Sequence, residues 1–440
     1  MSRLLSFVAQ RPGFRSAIHR IGIRFPRLYD WALRQLADLR LSRSGGLRRG
    51  GRQYDPARPT ILLCVHEGSL TGAPILGWNL ARQLSTSYNL VGVLLRGGPL
   101  APALAAQCCA YVEPPLGSIA DADAGAFRRK IITPARDRFK LSGVIANSIE
   151  CEVAATAARL AALPAVALIH EFAAYTATAR LTRMVESGAR LVFSSQLQRQ
   201  SIERAIGRPL DEALVHPQGK CQVPPTASRA SGSLDDLLRK LTGRGTFLCV
   251  GLGLVQPRKG VDLFLAAAIE VLRRGVDAHF LWVGDGYDPV GDFQVGVWLK
   301  AQIDISGFAD RLSIAPSVDA AALERLYDRA DAMFLSSRLD PLPNVAIDAL
   351  WAGVPVVCFD SGTGLAEYLR EDELLADLVV PYFDIGAAAT ALAALAADRE
   401  RRMRLADRAA ALAHDRFDPV VYARYVVHAL GDSFAWRDTS

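Results

Sequence analysis

The stretch SSRLDPLPNVAIDALWAGVPVVCFDSGTGLAEYL at 336–369 decides the architecture. An apolar run ends at Leu335, and a loop carrying Asp340 follows. Pro341 and Pro343 disfavour helix at the residues before them, which keeps that loop extended. A helix is expected to begin near Asn344, with Asp348 one turn in, and to stop at Gly353 before a new apolar run at 354–359. Strand, loop, helix, strand is the repeating unit of a parallel sheet. The N–H groups of Asn344 and Val345 have no acceptor within their own helix and point where an anion could sit. Asp340 and Asp348 bracket that place, and Pro343 shapes the approach. Gly362, Thr363 and Gly364 form a second small-residue turn that lets backbone come close to phosphate.

The same alternation extends in both directions. Downstream of residue 245, apolar runs at 247–250, 280–283, 312–315, 332–335 and 354–359 are separated by helical stretches at 261–273, 319–329, 344–352 and 385–398. Upstream, runs at 61–65, 90–95, 143–146, 165–169 and 190–193 enclose helical stretches such as 73–84 and 150–162. Asn147 with Glu150 three residues on reads as a capping pair for the second of these. The fold class expected is therefore α/β, with two Rossmann-like domains facing across a cleft and an N-terminal helical extension. The expected parts are a basic helical extension at 1–55, a first Rossmann-like domain at 56–220 and a second at 221–415. A last helix at 416–440 follows, free to pack back on the first domain. The Pro-, Ser- and Gly-rich stretch 218–245 is the interdomain linker region. Ligands of such sheets sit at the carboxyl ends of strands, which makes the cleft the natural site.

The net charge of +6 is unevenly placed. Residues 1–52 hold twelve Arg, no Lys and only Asp30 and Asp38 as acids, a surplus of +10, so the rest of the chain is about −4 by subtraction. A head of this kind suits an anionic membrane surface or phosphate. Leu28, Trp31, Ala32, Leu36 and Leu39 share one helical face, with Arg27, Arg34 and Asp30 opposite. Two readings stand equal: a helix lying on anionic lipid, or a flap packed on the body through Trp31. The basic head lacks interleaved aromatics and zinc spacing, which argues against nucleic acid. No apolar run reaches the roughly 18–20 residues of a membrane span. The seven Cys show no C-x-x-C pair, which suits a reducing compartment. Together these point to a cytoplasmic protein that the head could bring to the inner face of the membrane.

Four further segments carry chemistry. In GLGLVQPRKGVDLF at 251–264, Gly253 follows a strand and Arg258 and Lys259 precede a helix, so both cations can face the cleft. Cations beside a helix start suit a strongly anionic group. Gly284 opens the turn Gly284-Asp285-Gly286 at the end of another strand. In HEGSLTGAP at 66–74, His66, Glu67, Thr71 and Gly72 lie in the first strand's loop, with Pro74 suited to a first helical turn. His170 and Glu171 end a later strand.

These residues together resemble the retaining family-4 glycosyltransferases, enzymes of the two-Rossmann-domain (GT-B) fold used in cell-surface polysaccharide assembly. The resemblance covers roughly 60–430. The family's paired acids, usually Glu-x7-Glu, stand here as Asp340 and Asp348. It implies that Asp340 meets hydroxyls of the donor sugar and Asp348 the ribose. Both acids are one methylene shorter than the family's glutamates, which shortens the reach to the ribose. It also implies that Lys259 grips the diphosphate, that Gly72, Gly253, Gly284, Pro343, Asn344, Val345, Gly362, Thr363, Gly364 and Glu367 surround the donor, and that 315–318 lies by the base. His170 matches a histidine facing the donor sugar near the reacting carbon, where it hydrogen-bonds a hydroxyl or stabilises developing charge. His66, Glu67 and Thr71 fall on the acceptor side. The family often has an arginine where Leu254 stands, and Arg258 is expected to replace it. The implied catalytic set is His170, Arg258, Lys259 and Asp340.

The partners implied are a nucleotide-sugar donor, as co-substrate, and a glycan or lipid-linked acceptor, with no further cofactor. No isolated carboxylate demands the role of general base, which favours transfer with retention at the anomeric carbon. Asp121 and Asp123 resemble a metal motif but read as a helix start, so a metal-independent enzyme is expected. The rival readings are a nucleotide-sugar epimerase of the same fold, and a non-catalytic protein binding glycan or anionic membrane.

Overall fold

The computed structural model describes residues 26–43, 46–114, 117–225, 234–236, 238–239, 245–431 and 434, with backbone alone at 26–30 and 42–43. Most of the Arg-rich head, 1–25, lies outside the described residues.

Eight strands form the first sheet: β1 (Arg48–Arg49), β2 (Thr60–Val65), β3 (Asn89–Leu94), β4 (Ala110–Val112), β5 (Leu141–Asn147), β6 (Ala165–Ile169), β7 (Arg190–Phe193) and β8 (Leu214–Val215). Their spatial order is β1-β4-β3-β2-β5-β6-β7-β8. Only β1, at the edge, runs antiparallel to its neighbour. Six parallel strands form the second: β9 (Phe247–Leu252), β10 (Ala278–Val283), β11 (Leu312–Ala315), β12 (Ala332–Leu335), β13 (Val356–Phe359) and β14 (Val379–Val380). They are ordered β11-β10-β9-β12-β13-β14. Strands β2, β3, β9 and β10 are buried along their whole length, as continuous apolar runs covered on both faces must be. The short strands β1, β4, β8 and β14 were not legible as apolar runs, because two or three residues are too few to show a period.

In each sheet the order reverses at one place, between β2 and β5 and between β9 and β12. Such reversals open a crevice at the strands' carboxyl ends. The helices that matter below are α1 (Pro26–Arg43), α2 (Gly72–Leu84), α3 (Glu152–Leu160), α4 (Thr178–Glu186), α5 (Gln196–Ile206), α6 (Val261–Arg273), α7 (Asn344–Trp351), α8 (Leu365–Leu369), α9 (Arg399–Arg416) and α10 (Pro419–Leu430).

The second domain has one apolar core, whereas the first has one on each face of its sheet. Tyr422, Val426 and Leu430 of α10 belong to the first domain's core. The chain thus crosses between domains twice, near 218–222 and at 417–419. The crossings touch: the Lys220 amide donates to the Phe417 carbonyl at 2.7 Å. A Cβ on Gly219 would come within 2.5 Å of the Pro419 Cα.

Helix α1 packs on the first domain through Ala37 and Leu41, with Asp38 accepting from the Asp123 amide at 2.8 Å. Trp31, Leu36 and Leu39 are exposed. Attachment through Trp31 is therefore corrected: the helix docks by a different face and leaves its apolar arc in solvent. The capping expectation is also corrected. Ser148, not Asn147, accepts from the Glu150 amide, and Asn147 is the last residue of β5. All seven thiols are buried and unpaired.

Candidate active site

The β9 and β12 loops meet at the second sheet's crevice. The β9 loop turns at Gly253, whose φ of +137° suits glycine. The side chain of Lys259 lies along it, with Cε 3.3 Å from where a Cβ would stand. Gly284 lies so close to the Gly253 carbonyl, 1.9 Å from a notional Cβ, that only glycine fits. Together Gly253 and Gly284 interlock two loops and aim Lys259. Its ammonium meets buried Asp340, and Arg258 Nη1 stands 3.4 Å from the other carboxylate oxygen. Burial would raise the Asp340 pKa, but Lys259, Arg258 and the Ser337 hydroxyl outweigh it and hold the carboxyl below its usual range. The Asp340 amide donates to the Gly362 carbonyl at 2.8 Å, so the turn 362–364 positions the acid. The hydroxyl of buried Thr363 accepts from the Leu365 amide.

Helix α7 begins at Asn344 after Pro343, and no side chain caps it. The amides of Asn344 and Val345 therefore face the crevice as free helix-start donors. Helix α2 of the first domain also lacks a side-chain cap at Thr71. The two helix starts converge, with Asn344 Nδ2 donating to the Gly72 carbonyl at 3.3 Å. A Cβ on Gly72 would meet nothing within 4 Å.

The first domain answers with β2, β5 and β6. Asn147 Nδ2 donates to the Ala73 carbonyl at 2.7 Å, which leaves its Oδ1 to accept from His170 Nε2 at 2.9 Å. That network assigns the His170 proton to Nε2 and leaves Nδ1 an acceptor. Burial, then nearby His66, lowers the imidazole pKa to about 3. His170 is thus neutral at physiological pH. It can receive a hydroxyl hydrogen bond but offers no cationic charge, which narrows the role inferred from sequence. Glu171 is held by the Ser148 hydroxyl at 2.5 Å and by the Ile149 and His170 amides. Ser148 has φ +135°, unusual outside glycine, and such outliers concentrate at functional sites. Across the cleft the Arg258 guanidinium lies 5.7 Å from the Tyr175 ring. Asn147, Ser148 and Tyr175 were missed in sequence. Asn147's place at a strand end was the available signal.

Other expected residues make contacts of their own. His66 Nε2 is 4.0 Å from Glu67, whose carboxylate also meets Arg96 at 3.2 Å and the Ser69 hydroxyl at 2.6 Å. His66 Nδ1 is buried without a hydrogen-bond partner. The Thr71 hydroxyl pairs with Ser69 at 2.8 Å. Both oxygens of Glu367 accept amides that start α5, Gln196 at 2.8 Å and Leu197 at 2.6 Å. Gly364 abuts Ser195. Glu367 and Gly364 therefore lie at the domain seam, where Glu367 holds the start of α5. Asp123 caps a helix through the Ala126 amide, and Asp121 pairs with Arg180 at 2.6 Å. Among the described residues no three His, Cys, Asp or Glu cluster as metal ligands would.

Asp348 faces Lys220 of the domain crossing at 3.5 Å, and one of its oxygens is buried without a hydrogen bond. In this arrangement the acid serves the crossing, and its reach toward a ribose is not displayed. Burial, opposed by Lys220, raises its pKa from 3.8 to about 6. A carboxyl raised on folding binds more protons folded than unfolded between those values. Stability therefore falls as pH climbs from about 4 to about 6 and stays lower above that. Asp348→Asn is expected to stabilise the protein by about 1–3 kcal/mol at pH 8 and by little at pH 4. Unfolding of both proteins at the two pH values checks this; a pH-independent difference contradicts it.

The β9–β14 region carries the deciding match: residues 244–398 fit the model of the glycosyl transferases group 1 family. That match lies within the second domain and covers less than half of the chain. Two curated relatives resemble the chain in part. Alpha-D-kanosaminyltransferase of Streptomyces kanamyceticus is 28% identical over 184 residues, 42% of this chain and 43% of that protein. D-inositol 3-phosphate glycosyltransferase of Nocardia farcinica is 32% identical over 191 residues, 43% of this chain and 37% of that one. The matches span less than half the length of these relatives. Over the whole molecule, Anabaena HepE, solved with UDP, superposes with a TM-score of 0.67 at 17% identity, covering 84% of this chain and 99% of that one. WaaG, a glycosyltransferase involved in lipopolysaccharide biosynthesis, does so at 0.58 and 15%, covering 83% and 99%. The two domains thus form the GT-B architecture.

Proposed function

We propose that this protein is a glycosyltransferase that moves a sugar from a nucleotide-sugar donor to a glycan or lipid-linked acceptor, with retention of configuration. The observation that carries this is the cation pair Lys259 and Arg258 on buried Asp340, beside the uncapped start of α7. Two cations and free amides match a departing diphosphate, whose charge they neutralise without a general acid. Asp340 and the neutral His170 then hold hydroxyls of the donor sugar. Glu171 is half-buried and hydrogen-bonded on both oxygens, so it is poorly suited to activate an acceptor as general base. That supports same-face attack, with the leaving phosphate taking the acceptor proton. The solved relatives carrying UDP and UDP-glucose make uridine donors the first to try.

Thermal stabilisation by UDP-, GDP- and dTDP-sugars tests donor binding, with a gain of roughly 2.7 kcal/mol expected at 100 times the dissociation constant. NMR of the product's anomeric proton then tests stereochemistry, and an inverted product refutes retention. Turnover of the donor to its epimer without acceptor would favour the epimerase instead.

We also propose a cytoplasmic address on the membrane's inner face. Trp31, Leu36 and Leu39 stand exposed on α1, within the Arg-rich segment. Sedimentation with vesicles containing phosphatidylglycerol is expected, and its loss in Trp31→Ser/Leu39→Ser. Equal binding to neutral vesicles contradicts the electrostatic part.

A further inference from the structure

A cavity of about 490 Å³ lies between α1 and the first domain, outside the machinery described above. That volume falls within the range of small-molecule sites. Helix α1 supplies one wall through Leu33 and Arg34, while Glu152 and Thr156 of α3 and Arg180 and Arg183 of α4 supply another. The lining holds four guanidiniums, Arg34, Arg159, Arg180 and Arg183, and as many carboxylates, and the last two guanidiniums are already matched. Arg180 bridges Asp121 at 2.6 Å and Glu150 at 2.5 Å, and Arg183 holds Glu152 at 2.8 Å. A guanidinium has five donors and a carboxylate about four acceptor positions, so each pair keeps hydrogen-bonding capacity for a guest. A lining in which guanidiniums meet equal numbers of carboxylates has little preference for an anion. It suits a neutral polyol, whose adjacent hydroxyls donate to one group and accept from the other. Leu33, Val153 and Ala177 add apolar surface for the C–H faces of a sugar ring.

Two short links connect the cavity's lining to the reaction centre. Ala177 of its lining follows two residues after Tyr175, which lies under Arg258. Arg180 holds Glu150, two residues after Ser148, and Ser148 bonds Glu171.

We propose that this cavity is a subsite for neutral carbohydrate, taking the part of the acceptor beyond the sugar that reacts. The proposal rests on the glycosyltransferase reading, and it gives the N-terminal extension a role in acceptor choice. The test uses the full chain and saturation-transfer NMR with maltose, cellobiose, lactose and N,N′-diacetylchitobiose, with glucose 1-phosphate as an anionic comparison. At least one disaccharide is expected to bind at millimolar concentration. Thr156→Trp, which fills the cavity, and Arg183→Ala, a partly exposed position kept in case the first variant fails to fold, are each expected to weaken it at least tenfold. Absence of disaccharide binding overturns the proposal. So does binding unchanged in a folded variant, or a clear preference for the sugar phosphate. Nucleotide binding is measured on the same samples. Its failure in the wild type sinks the glycosyltransferase reading, while the disaccharide result still decides the subsite.

Discussion

Lys259→Ala is expected to lower kcat/KM by about 10²–10³-fold, the usual loss when one preorganised charge-stabilising group is removed. The loss should fall mainly on kcat, because the charge on the leaving diphosphate grows as the sugar departs. The fold should survive. Asp340 keeps Arg258 at 3.4 Å and the Ser337 hydroxyl at 3.3 Å, so no buried carboxylate is orphaned. Arginine is not expected to rescue. The Lys259 stem lies against Gly253, 3.3 Å from a notional Cβ there, and the planar guanidinium would need the space occupied by Asp340. Steady-state rates with the donor selected by thermal stabilisation check this. A change below about fivefold would show that the ammonium does not meet the diphosphate.

Asp340→Asn should separate binding from transfer. In the donor-free protein Asp340 neutralises Lys259 and Arg258, the cations proposed to receive the diphosphate. Removing its charge ends that competition, so the affinity for the nucleoside diphosphate should hold or tighten. Transfer should nevertheless fall by about 10²-fold, since the acid's hydrogen bonds to the donor sugar are weakened. Asp340→Ala goes further. Breaking a buried ion pair costs about 3–5 kcal/mol, and the half-exposed Arg258 places this site toward the low end. Calorimetric titration with the nucleotide, beside initial rates, decides the matter. Parallel loss of affinity and rate in the Asn variant would mean that the acid only maintains the pocket.

Much of the molecule was legible because its signals are local. The apolar runs at 61–65 and 247–250 appear as fully buried central strands, since a strand covered on both faces must be apolar throughout. Asp340, Lys259 and the start of α7 were readable because proline and glycine impose loop shape within a few residues. The contribution of Asn147 was not, since its partners Ala73 and His170 lie 74 and 23 residues away.

By itself the sequence determined two parallel sheets, their helix starts and the loops proposed to bind the diphosphate, all consequences of short-range periodicity and backbone restriction. Only the tertiary structure decided which acids face the cleft. Glu367 turns to cap α5 and Asp348 meets Lys220, because amides and cations left over at the domain seam need partners. It also decided which face of α1 is free, since that depends on the surface Ala37 and Leu41 find to bury against.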